Sequence, residues 1–99
     1  MSLIYHITTA AEWKTAQEAG EYSSPALNEE GFIHCSEKEQ VEDIKERFYP
    51  NTNDLVLLTI DTEKLESQLI FEWSPSVEQT FPHIYGPINL LAVVDVKQL

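Results

Sequence analysis

The 99-residue sequence predicts an α+β domain, a small strand-rich core of about five or six strands flanked by two helices. Three observations lead there. Two capping-box patterns, TAAE at 9–12 and SEKE at 36–39, each follow a short apolar segment and each open a run with helical spacing. The second half carries apolar runs of strand length, parted by polar or proline-bearing connections. No repeat, linker or low-complexity tract interrupts the chain, so residues 1–99 read as a single domain.

Taken in order, LIYHI at 3–7 has the apolar, aromatic content of a short strand. Thr9 then caps a helix in which Trp13, Ala16 and Ala19 recur at near-helical spacing before Gly20. Residues 21–30, with Ser23-Ser24-Pro25 and Asn28-Glu29-Glu30-Gly31, read as an exposed loop. FIHC at 32–35 is the second strand. Ser36 caps the second helix, whose apolar face is Val41, Ile44 and Phe48, and Pro50-Asn51 ends it. The run 55–60 suits a strand buried on both faces. Residues 69–73 form another, 74–80 a loop around Pro75, and Pro82 to Pro87 leads into a final run at 90–96.

Composition narrows the function. Seventeen acidic residues against six basic ones leave a formal charge of −11, and Arg47 is the single arginine. A phosphate backbone is neutralised by Lys and Arg, so a nucleic-acid partner is disfavoured. No apolar run approaches the roughly 18–20 residues that cross a bilayer, and MSLIYHITTAAEW lacks the basic start of a secretory leader. A cytoplasmic protein with no membrane partner is expected. Cys35 is the only cysteine, which leaves no internal disulfide and points to packing as a small apolar residue.

The three histidines, His6, His34 and His83, each lie in a short apolar segment near a predicted strand end, where loops meet and ligand clefts form. Alternation along the strand puts Phe32 and His34 on one face and Ile33 and Cys35 on the other. Each histidine alone reads as a hydrogen-bonded structural residue as readily as a functional one. Their shared setting predicts that all three line one concavity. Ser36 likewise reads as a plain N-cap or as an anion site at a helix start. No H-x-H, H-x-x-x-H or H-E-x-x-H spacing supports zinc, so no metal is expected and a metal-dependent hydrolase ranks third among the readings. Glu72 reads as an exposed strand acid or a site carboxylate. P-loop, G-x-G-x-x-G and G-x-S-x-G motifs are absent.

The ordered set IYHIT, AEWKTAQEAGEY, EGFIHCS-x-x-EQ, RFYP, DLVLLTID and FPHIYGPI-x-L-x-AV resembles a small bacterial family, domain of unknown function 952. The resemblance covers nearly the whole chain, and EGFIHCS with FPHIYGP is its most specific part. That family looks like a distant relative of the ADP-ribosyltransferase-like fold, which includes NAD-dependent RNA 2'-phosphotransferases. The resemblance implies NAD as cofactor, held by His6 on the first strand, with His34-Cys35-Ser36 similar to the phosphotransferase strand end. His83 is nearest to the late-strand position where transferases commonly carry a glutamate. The lack of a glutamate there counts against ordinary arginine- or glutamate-type ADP-ribosylation. On this implication His6, His34 and His83 are catalytic and Tyr5, Thr8, Ser36 and Tyr85 bind NAD. The expected function is an NAD-dependent transferase with a small-molecule ligand and an acceptor that the sequence does not specify. The alternative is a non-catalytic small-ligand or protein-binding module.

Overall fold

The computed structural model describes residues 2–99. Among them the chain forms eight strands and three α-helices: β1 (Leu3–Thr9), α1 (Ala10–Ala19), β2 (Glu21–Tyr22), α2 (Pro25–Glu30), β3 (Ile33–His34), α3 (Val41–Phe48), β4 (Leu55–Asp61), β5 (Gln68–Ser74), β6 (Gln79–Tyr85), β7 (Ile88–Asn89) and β8 (Val93–Gln98). The α+β class stands, with more strands and one more helix than expected. Short 3-10 turns at Lys38–Gln40 and Leu90–Ala92 lead into α3 and β8.

Three antiparallel sheets make up the strand layer, in the orders β1-β4-β8, β2-β7 and β3-β6-β5. β4 is the middle strand of its sheet, and Leu55 on one face and Leu58 and Ile60 on the other are buried, as its nearly continuous apolar run requires. β6 is the middle strand of its sheet although it contains Pro82. The Pro82 carbonyl accepts from the Cys35 amide at 2.9 Å, one residue past the end of β3. A strand residue's N–H and C=O point the same way, so the missing proline donor falls where the β3 ladder stops.

Tyr5 and Ser36 exchange both backbone hydrogen bonds, at 2.8 and 2.7 Å, and form a bridge between the first and third sheets. That bridge brings the middle of β1 beside β3. Packing completes the arrangement. Ile4, Tyr22, Ile33, Cys35, Leu58 and Ile84 belong to one buried cluster, while Ile7, Ile44, Leu55 and Phe81 form a second under α3. Burying a side chain such as Phe81 or Ile84 contributes about 1.5–3 kcal/mol.

Two local expectations need correction. Residues 21–30 are not a loop. Ser24 precedes Pro25 at the first helical turn and Gly31 closes α2 at φ 86°, a left-handed conformation that glycine adopts without strain. Ser36 is not an N-cap either. The capping box is made by Glu37 and Gln40 around the 3-10 turn, and the strand bridge to Tyr5 keeps Ser36 extended one residue earlier. Half of the Thr9–Glu12 box of α1 is present: Thr9 Oγ1 accepts from the Glu12 amide at 3.1 Å, whereas Glu12 Oε1 accepts from the Thr8 and Thr9 hydroxyls.

Candidate functional site

A cleft of about 570 Å³ opens where β1 of the first sheet meets β3 and β6 of the third, and His6, His34 and His83 all line it. His34 ends the two-residue β3, as the sequence suggested, whereas His6 and His83 lie within seven-residue strands. Strand geometry does the gathering. His34 and His83 are direct cross-strand partners, so they share a face, and their ring centroids stand 5.3 Å apart. His6 and Thr8, two residues apart on β1, present a common face to the same cleft. Phe48 and Tyr49 at the end of α3, Ser24 to Ala26 at the start of α2, and the β5–β6 turn form further parts of the wall.

His83 is held on two sides. Its Nδ1 pairs with Glu72 Oε1 at 2.8 Å, and Phe32 stacks on its ring with centroids 4.1 Å apart. Tyr85 donates a hydrogen bond to the same carboxylate oxygen. The Tyr85 and His83 contacts hold the Glu72 carboxyl below its usual range, and the Glu72 contact raises the Tyr85 hydroxyl. With Nδ1 donating to a carboxylate, Nε2 is the ring nitrogen left to meet a ligand. Glu72, weighed in the sequence as an exposed acid, orients His83.

His34 stands differently. Burial, and then the neighbouring His83 and His6, push it down to about 4, so its ring is neutral at physiological pH. Its Nε2 is buried without a hydrogen-bond partner, as is Ser24 Oγ on the same cleft. Each such orphan costs roughly 1–3 kcal/mol relative to a paired group.

His6 is committed to the protein at both nitrogens. Nδ1 donates to the His34 carbonyl at 2.7 Å, and Nε2 lies 2.8 Å from the Tyr22 hydroxyl. Tyr22, in turn, reaches Thr8 Oγ1 at 3.0 Å, and Thr8 donates to Glu12 Oε1 at 2.9 Å. Burial lowers His6, against the opposing pull of the His34 carbonyl and Glu12, and burial drives the Tyr22 hydroxyl up.

Of the remaining expected residues, Thr8 and Ser36 line the cleft, whereas Tyr5 and Tyr85 are not among its lining side chains. Tyr85 is 37% exposed and packs against Phe32. Tyr22 and Glu12 are cleft residues that sequence reasoning did not single out. Cys35 faces the core, and burial raises its thiol well above the usual range. Among the described residues no group of three or more His, Cys, Asp or Glu could hold a metal ion. The charged lining residues are Glu12 and Glu30; no lysine or arginine contributes.

The family model "Protein of unknown function (DUF952)" matches residues 7–96. The chain belongs to this family. It is similar to protein CC0527 from Caulobacter crescentus, whose crystal structure superposes with a TM-score of 0.86 at 33% identity, covering 96% of this chain and 83% of that one. The solution structure of CC0527 gives a TM-score of 0.83 at 34% identity, covering 100% and 85%. A double mutant of CC0527 is equally close in fold, at 0.86 and 32% identity over 96% and 83%. A comparison with curated proteins found no match. Among the described residues no helix is long and apolar enough to cross a membrane.

Proposed function

We propose that the cleft is the site of an NAD-dependent transferase, and that it recognises the nicotinamide–ribose half of the dinucleotide. The observation that carries this reading is the meeting of His6, His34 and His83 in one cleft that also holds two unpartnered buried polar atoms, His34 Nε2 and Ser24 Oγ. A ligand bearing ribose-like hydroxyls would satisfy both. The volume, about 570 Å³, lies within the range of small-molecule sites. The resemblance to ADP-ribosyltransferase-like proteins, with a first-strand histidine and a His-x-Ser segment, supports the same choice.

Charge selects which half of NAD fits. The lining carries Glu12 and Glu30 and no lysine or arginine, so the diphosphate finds no fixed counter-charge there. The helix-start anion site expected at Ser36 is lost with its cap. The cationic pyridinium ring of nicotinamide suits an acidic wall. NAD supplies an activated glycosidic bond whose ribose can pass to an acceptor. On the protein side, His83 with Nδ1 fixed by Glu72 receives or returns a proton at Nε2, and neutral His34 offers a hydrogen bond. His6, tied at both nitrogens, positions Tyr22 and His34.

The test is calorimetry with NAD, nicotinamide riboside and ADP-ribose, coupled to chromatography for released nicotinamide. NAD and nicotinamide riboside should bind, ADP-ribose should bind more weakly, and His83→Ala should keep binding while losing release. No heat with NAD at millimolar concentration removes the NAD reading. Binding without release in the wild type moves the protein to the alternative, a small-ligand binding module.

A further inference from the structure

The four groups His6, Tyr22, Thr8 and Glu12 form an unbroken chain of three contacts, at 2.8, 3.0 and 2.9 Å. Each contact needs one proton between its two heavy atoms, since two bare lone pairs at that separation repel. The His6 Nδ1 proton is spent elsewhere, on the His34 carbonyl, which can only accept. Tyr22 and Thr8 bring one hydroxyl proton each. Three contacts therefore share two protons unless a third is added, and only the chain's ends have room for it: His6 Nε2 or the Glu12 carboxyl. Thr9, the other neighbour of Glu12 Oε1, donates its own hydroxyl at 3.2 Å and supplies nothing to the chain.

We propose that His6, Tyr22, Thr8 and Glu12 are a proton relay along the cleft wall, retaining one exchangeable proton that the separate groups would release at neutral pH. With the proton at His6 the chain reads imidazolium, two hydroxyls and carboxylate. With the proton at Glu12 it reads imidazole and carboxylic acid, and both hydroxyls have reversed. The relay is neutral overall in either arrangement, which makes the buried site tolerable. Free in solution at pH 7.5, a histidine is mostly neutral and a glutamate ionised, so the relay holds one proton more than its parts.

Burial works against the added proton and pulls His6 down, while the His34 carbonyl and Glu12 of α1 pull it up; the three contacts, with Tyr22 of β2 on the ring, require the proton that burial opposes. His34 of β3 is neutral, with His83 of β6 beyond it. The Cys35 thiol and the Tyr49 hydroxyl, both raised by burial, stay protonated and add no charge. Because the folded chain binds this proton more tightly than the unfolded chain, its stabilisation is complete below about pH 6.5 and fades as pH rises through the relay's midpoint. The relay exists without ligand, so its failure and the failure of the NAD reading are separate results.

The experiment is NMR of the ligand-free protein from pH 6 to 9, following the His6 ring nitrogens and the Glu12 carboxyl carbon. One shared midpoint, above the ordinary histidine value of about 6.5, is expected at both sites. Glu12→Gln should lower the His6 midpoint by at least about one unit, tenfold in proton affinity, because the amide can donate to Thr8 without an added proton. A His6 ring that stays singly protonated beside an ionised Glu12 across this range overturns the relay. So do two unrelated midpoints, or a His6 midpoint unmoved in Glu12→Gln. The wild-type spectra decide the matter even if the variant does not fold.

Discussion

Replacing His34 with glutamine should flatten the acid limb of the protein's stability curve. Burial holds the His34 ring near a pKa of about 4, whereas an unfolded histidine titrates near 6.5. Between those values the unfolded chain binds a proton at this position and the folded chain does not. Stability attributable to a neutral His34 is therefore full above about pH 6.5 and is lost as pH falls toward the folded value. From pH 7 to 4.5 the undiscounted loss is about 2.4 kcal/mol, reduced to about 2 kcal/mol for the partial exposure of the ring. Glutamine does not titrate, and its amide can occupy much of the same volume. Urea unfolding of both proteins at pH 7 and pH 4.5 measures the difference. Wild type should lose about 2 kcal/mol more than His34→Gln over this interval. Parallel losses, within about 0.5 kcal/mol, would mean that the ring is solvated in the folded state and that the cleft is not the desolvated site described.

Three further outcomes follow from the contacts. Tyr22→Phe keeps a fully packed ring but strips its hydroxyl from His6 and Thr8, and urea unfolding should show a loss of about 1–3 kcal/mol with an unchanged denaturant slope. Glu72→Ala removes the acceptor of His83 Nδ1; ring-nitrogen NMR should show the His83 tautomer become mixed while the His34 signals hold their positions. Gly86→Ala would place a methyl carbon 2.5 Å from Ser67 Oγ, which is fixed by its bond to the Pro87 carbonyl, and should lower the midpoint of thermal unfolding at a cost of about 1–3 kcal/mol.

Local signals in the sequence carried much of the fold. The Thr9–Glu12 box marks the start of α1, and the apolar run in the fifties marks a strand buried on both sides, because both are effects of neighbouring residues. α2 was masked by polarity: no side chain of its sequence PALNEE is fully buried, Leu27 alone packs partly against the core, and only Ser24-Pro25 and Gly31 mark its ends. β2 and β7 are two residues each and exist because Tyr22 meets Ile88 far along the chain, which no local pattern encodes.

The site divides in the same way. That the histidines share a cleft was legible from their similar apolar settings. Their geometry was not, because the His34–His83 pair depends on the register of β3 against β6. Tyr22 escaped notice for lying in an expected loop, and Glu12 for already having a role as a cap partner. The Glu72 contact with His83 spans 11 residues and the Tyr22 contact with His6 spans 16, distances set by sheet packing and not by spacing. Ser36 was misplaced by one residue, since Glu37 can cap as well as serine when the chain before it is tied into a strand bridge.

The central claim is that the three-histidine cleft takes a nicotinamide-bearing ligand. Its most direct test is a titration of labelled protein with NAD, read at the ring nitrogens of His6, His34 and His83. The account predicts that His34 Nε2, buried without a partner, moves most, with the signature of a newly formed hydrogen bond, and that His83 Nε2 moves with it at the same ligand concentration. Unmoved histidine rings at saturating NAD, or changes confined to residues outside the cleft, would contradict it.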